Sequence, residues 1–229
     1  MKADADWRAI AQEELRFFGN VSAAISHEIN NRIAVINEKA GLLTDLSVML
    51  AQGREIDVTR FEVQSKKIVE QVRLAKKTVS NLNRFAHSVD VQQSRIEAAE
   101  VIEFVVALYA RKAAAAEAEL SIAESSDPVT ITSSPFFLEI LIGRGIDVAL
   151  SRVAEARTVI IGVEATQEGL AVKLRGLTGL TEPIEFPEEN QDVPALLECL
   201  GARYRSEPDG TALLLDIPDH ERMSHGRTE

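Results

Sequence analysis

The chain has 229 residues, of which 45% are apolar, 27% charged and only 5% aromatic, with a net charge of −11. That is enough length for a helical module and a compact second domain, and the scarcity of aromatics suits Ala/Leu/Ile/Val helix seams better than a large β-sandwich. The one cysteine, Cys199, excludes an internal disulfide and fits a reducing compartment. No basic-then-apolar leader is present and no apolar run approaches roughly 18 residues, so neither secretion nor a membrane span is expected and the expected location is cytoplasmic. Charge is uneven: residues 1–96 hold 14 Lys and Arg against 12 Asp and Glu, and residues 97–229 hold 11 against 24. So acidic a second half is a poor prospect for nucleic acid or anionic membrane, neither of which is an expected partner, and a poor host for a tri-anionic nucleotide.

Residues from about Asp6 to Leu50 read as one long helix, with Asp4 or Asp6 as its cap. Phe18, Ser22, Ile25, Ile29, Ile36, Leu43, Leu46 and Leu50 keep to one stripe, with Ile33 and Ala40 beside it. AQGREID (51–57) stops it: Gly53 suits a left-handed C-terminal position and Asp57 suits the N-cap of a second helix. That second helix is expected from Val58 to Ser94. Its heptad runs Phe61, Ser65, Ile68, Val72, Ala75, Val79, Leu82, Ala86, Val89. Two long helices with a short connection form an αα-hairpin, and one hairpin exposes too much apolar seam to stand alone. Pairing of two copies into a four-helix bundle is expected, hence a homodimer.

After residue 95 the pattern changes. A helix is expected over about 97–116, then short strands in AELSIAES and PVTITS. Next comes a helix in SPFFLEILIGRGIDVALSRVA, capped by Ser134 with Pro135 at its first position. TVIIGVEAT and LAVKLRGL alternate as a strand pair, DVPALLECLGARY reads as a short helix and GTALLLDIP as a final strand. The expected fold class is α+β: a hairpin module over residues 1–95, an α/β layer of helices on a mixed sheet over 96–218, and a polar tail over 219–229.

The histidine of SHEINN is the candidate site. His27 is two residues from Ile25 and from Ile29, about 200° round the helix from each, so its imidazole points away from the seam. Asn31 lies one turn on, on the same face, and Glu28 adjoins the ring from the side. Ala23, Ala24 and Ala34 leave room for another protein to approach. A histidine, a carboxylate and an amide so placed suit phosphoryl transfer through imidazole. One nitrogen takes the phosphoryl group, a carboxylate on the other fixes the tautomer, and the amide orients a water or a phosphoryl oxygen. His87 either packs near the bundle or faces solvent. His220 and His225 are isolated and suggest no metal site, and Cys199 reads as a small buried residue.

SHEINNRIAVI (26–36) resembles the phosphoacceptor box of the dimerisation and histidine-phosphotransfer domain of two-component histidine kinases: His, Glu or Asp, two residues, then Asn or Thr. His27, Glu28 and Asn31 match; Arg32 stands where the family commonly has proline. The resemblance covers roughly residues 10–92. It implies that His27 is phosphorylated, that Glu28 assists phosphorylation, and that Asn31 assists removal of phosphate from a response-regulator receiver domain, the implied partner.

The order of elements after 97 resembles the ATP-binding domain of the same family, in degenerate form. The family's paired asparagines fall near Gly143 and Asp147, where Asp147 could touch a cation and Gly143 offers nothing. Its adenine-reading Asp-x-Gly-x-Gly falls on a stretch with Arg175, Gly176 and Gly179 and no Asp. Its glycine-rich phosphate loop has no counterpart in FPEENQDVPALLECLG. Three readings are open. A phosphorelay histidine phosphotransferase would need no cofactor of its own, with Mg²⁺ held by the partner receiver. A soluble histidine kinase would phosphorylate His27 from ATP. A scaffold would bind a response regulator without turnover.

Overall fold

The computed structural model describes residues 2–124, 128–187, 190 and 193–221. The chain divides into two compact units, Phe18–Ala86 and a second made of Met1–Phe17 with His87–Glu229.

The first unit is an antiparallel helical hairpin within α1 (Lys2–Ala51) and α2 (Thr59–Ser88). Helix α1 starts before Asp4 and Asp6, which therefore do not cap it. Gly53 adopts φ +78°, and its amide hydrogen-bonds the Leu50 carbonyl at 2.9 Å, closing α1 as a left-handed terminal residue does. Asp57 accepts the Thr59 amide at 2.9 Å, an N-terminal cap that draws the Asp57 carboxyl below its ordinary range. Phe18 stacks on Phe85 with ring centroids 5.2 Å apart, and Arg32 reaches Gln71, so both pairs share one antiparallel register.

The apolar stripes sort into two seams. Val21, Ile25, Leu46, Thr78 and Phe85 are buried between the helices, and Phe61, Ile68, Ala75 and Leu82 are half-buried there. The single seam expected on α2 is split, because Ser65, Val72, Val79, Ala86 and Val89 of the same heptad are exposed. Seven-residue steps define an uncovered line on each helix: Ser26, Ile33, Ala40 and Ser47 on α1, and Ser65, Val72, Val79 and Ala86 on α2, all exposed. In both helices each member of these lines comes one residue after a buried or half-buried position, about 100° round its helix. Rotation sense reverses between antiparallel helices viewed from one end, so the two lines fall on the same broad face of the hairpin.

The second unit holds a five-stranded mixed sheet in the order β2 (Glu119–Ile122), β4 (Thr158–Ala165), β5 (Gly169–Arg175), β7 (Ala212–Pro218), β6 (Arg203–Ser206). β2 and β4 are parallel and the other neighbours antiparallel. A separate two-stranded sheet pairs β1 (Ser94–Glu97) with β3 (Thr130–Ser133). Helix α2 ends at Ser88, six residues before its expected end: the Ser88 hydroxyl is buried and donates to Glu139 at 3.1 Å. The chain then turns into β1, where Ile96 is buried. β6 is the other strand absent from the expectation, which placed Arg203 and Tyr204 in a helix.

Helix α4 (Pro135–Ser151) packs on β5 and β7 and between α3 (Ala98–Ala115) and α5 (Val193–Leu200). From Leu138 to Ala149 every residue of α4 is buried, as expected for a helix covered on all sides. Ser134 and Pro135 hold the expected N-terminal positions, although the Ser134 side chain makes no capping hydrogen bond. Cys199 is exposed rather than buried, because Val193, Leu196 and Leu200 form the buried face of α5 and position 199 lies about 90° round the helix from the centre of that face. Of the expected polar tail, Asp219 is buried and accepts the Thr132 amide at 3.1 Å. His220 joins Leu200 and Gln93, and His225 lies outside the described residues.

Candidate functional site

His27 stands exposed in the middle of α1. Ile25, two residues back, is buried in the hairpin seam, so a helix that buries one must turn the other outward. Ala23 and Ala34, on the ring's side of the helix, are exposed as well, leaving a low surface around the imidazole. The side chain one turn on completes the arrangement: Asn31 Nδ2 lies 3.1 Å from His27 Nδ1. An amide nitrogen only donates, so Nδ1 accepts, and Nε2 has no partner among the described residues.

Glu28 does not meet the ring. Its carboxylate forms an ion pair with Arg32 one turn on, and the other arm of that guanidinium donates to Gln71 of α2 at 3.4 Å. The Arg32 side chain is only 22% exposed, and its Nε is buried with no hydrogen-bond partner among the described residues. Arg32 thus sits on the α2-facing side of α1 and draws Glu28 toward that side. The contact with Nδ1 expected of Glu28 is made by Asn31. Arg32 and Gln71 are the two neighbours of the site that sequence reasoning misses, although the Glu28-to-Arg32 spacing of four is the signal for such a pair.

In the second unit, Gly143, Asp147 and Gly176 of the positions likened to a nucleotide site are engaged by the protein itself, while Gly179 has open space around it. Asp147 is buried. Lys112 Nζ lies 2.6 Å from its Oδ1, Arg144 approaches to 3.9 Å, and Asn190 Nδ2 donates at 3.4 Å. The cation Asp147 touches is therefore an ammonium from α3. At Gly143 a Cβ would meet the Tyr109 hydroxyl at 2.7 Å, so the Tyr109 ring lies directly on the helix there. Across α4 the Tyr204 hydroxyl donates to the Leu141 carbonyl; burial, then the neighbouring Tyr109, push it well above the usual phenol range. Gly176 adopts φ +87° beneath the Thr158 carbonyl, where no side chain would fit, and Arg175 is exposed. Lys112, Tyr109 and Asn190 lie more than 30 residues from the groups they meet, beyond the reach of local pattern.

His87 is exposed, 3.6 Å from Asp90. Among the described residues no cluster of His, Cys, Asp and Glu is placed to hold a metal, and no helix is long and apolar enough to cross a membrane.

No family model and no curated protein matches the chain. Among solved structures it is similar to the histidine kinase AdeS of Acinetobacter baumannii, at 16% identity over 85% of this chain and 98% of that one, with a TM-score of 0.44. The ATP-binding domain of PrrB from Mycobacterium tuberculosis matches at 16% identity over 56% of this chain and 98% of that one, with a TM-score of 0.45. The catalytic domain of the histidine kinase ThkA matches at 11% identity over the same shares, with a TM-score of 0.46. Likeness at this level leaves the chemistry to be read from the chain's own side chains.

Proposed function

We propose that this protein is a phosphorelay histidine phosphotransferase that carries a phosphoryl group on His27 between aspartates of response-regulator receiver domains. The observation that supports this best is the exposed imidazole held through Nδ1, with Nε2 open on a surface of small residues. In the forward step Nε2, in the tautomer that carries the ring proton on Nδ1, attacks the phosphorus of an aspartyl phosphate. The N–P bond forms, the acyl O–P bond breaks and a carboxylate leaves; the second receiver reverses this with its own aspartate. The acyl phosphate supplies the energy, and a Mg²⁺ on the receiver neutralises charge on the transferring group.

The second unit supports a relay over a kinase. Lys112 and Arg144 already neutralise Asp147, and the Tyr109 ring covers Gly143. These residues do not fit a Mg²⁺–triphosphate. Two hairpins would join through the face carrying Ile33, Ala40, Val72 and Val79, which leaves each His27 on the outer surface of a four-helix bundle.

Incubation of the full chain with γ-labelled ATP and Mg²⁺, and separately with a phosphorylated receiver domain, tests the reading. The expected result is acid-labile label from the receiver alone, absent in His27→Ala. Label from ATP would replace the relay with a kinase. Receiver binding without label, unchanged in His27→Ala, would leave only a scaffold.

A further inference from the structure

From the contact between Asn31 and His27 we infer that Asn31 is a positioning residue whose amide orientation sets which nitrogen of the imidazole carries the proton, and so whether Nε2 is nucleophilic. The inference rests on the carrier reading of His27, but its readout is separate. With Nδ2 turned to the ring at 3.1 Å, the amide donates and Nδ1 must accept; the neutral ring then holds its proton on Nε2. In that tautomer the outward nitrogen has no lone pair for attack. A half-turn about χ2 of Asn31 brings Oδ1 to the same place. The carbonyl oxygen now accepts from Nδ1–H, and the lone pair moves to Nε2. One side chain therefore serves both a resting and a nucleophilic ring without a change of backbone.

Three features of the surroundings make Asn31 rather than Glu28 the group in control. The Glu28 carboxylate is committed to Arg32. Arg32 is itself braced on Gln71 of the opposite helix. And the four-residue spacing puts Asn31 over the ring while Glu28 lies to its side. An ordinary hydrogen bond biases the tautomer ratio about five-fold, and a charged acceptor biases it by roughly ten-fold or more.

The test is nitrogen-detected NMR of the imidazoles in the full-length protein at about pH 8.5, above the ordinary histidine range, with the His27 signals assigned by their loss in His27→Gln. The wild type is expected to show predominantly Nε2–H. Asn31→Asp, an acceptor of the same shape, is expected to reverse the ratio to Nδ1–H by roughly ten-fold or more. Asn31→Ala is expected to release the bias, and Glu28→Gln to leave it as in the wild type. An unchanged ratio in both Asn31 variants, or a ratio that tracks Glu28→Gln instead, overturns the inference. Phosphoryl gain from a phosphorylated receiver, measured on the same samples, separates the two readings. A tautomer that reverses with no transfer in any variant keeps the switch and removes the carrier. Transfer that is equal in wild type and Asn31→Asp despite reversal removes the switch's role in nucleophilicity.

Discussion

The hairpin and the α/β unit bury their apolar residues in different ways. Helix α4 of the α/β unit is covered all round, with Leu138, Ile140, Leu141 and Ile146 completely inaccessible. The hairpin covers one seam and leaves a second, with Val72 39% and Val79 42% exposed beside Ile33 at 46%. A sheet with helices packed on it can close a core within one chain, whereas two helices cannot, because each presents more than one apolar side. The contrast separates a unit that closes its own core from one that leaves an apolar face uncovered. It also separates the chemistry: the completed unit satisfies its own buried charge at Asp147, and the open one carries the exposed ring.

The strongest way to break that contrast is to damage the completed core. Leu138→Ala removes a side chain with no solvent exposure, and a cavity of that kind costs about 2–5 kcal/mol. Thermal unfolding monitored by circular dichroism should show the loss as a large fall in the transition temperature. A change under about 1 kcal/mol would mean that α4 is not the centre of the packing.

A smaller effect is expected on the open face. The pair Val72→Asp and Val79→Asp puts two charges on the uncovered line of α2 without touching the inner seam of Ile25, Thr78 and Phe85. Sedimentation equilibrium should give twice the chain mass of 25.1 kDa for the wild type and a single chain mass for the variant, with helicity largely kept. A wild type that sediments as a single chain would sink the four-helix-bundle reading.

Legibility in the sequence divides along the same line. In the hairpin the information is local: stripe period, Gly53, Asp57 and the outward phase of His27 are all set within a few residues. The two strands that the sequence pattern misses are four residues long. β1 has one buried residue, Ile96, and β6 is largely polar, so each exists through its pairing with β3 or β7 rather than through its own pattern. Composition alone misplaces Cys199, although the phase of Val193, Leu196 and Leu200 puts it at the flank of the buried face of α5. In the candidate site, His27 and Asn31 are legible as one face. The turn of Glu28 toward Arg32 obeys the same four-residue rule, but position 32 carries a second meaning as the place of a missing proline, and that meaning hides the pair. The Lys112–Asp147 pair depends on the tertiary packing of α3 on α4.

The smallest expected effect tests the sheet edge of the completed unit through pH. Asp216 accepts Arg205 Nε at 2.7 Å and Arg203 Nε at 3.1 Å. Burial by itself pushes its carboxyl upward, but the two guanidiniums outweigh that and hold it below the usual carboxylate range. A depressed folded-state pKa means that the unfolded chain takes up the proton first as pH falls. The contribution to stability is therefore complete above about pH 5 and is lost as the carboxylate protonates below about pH 4. Both arginines are well exposed, at 72% and 46% of the side chain, so the effect is at most about 1 kcal/mol. Asp216→Asn should lower urea-unfolding stability by that amount at pH 7 and converge with the wild type near pH 3. Parallel curves over the whole range would show that Asp216 gains nothing from its two partners.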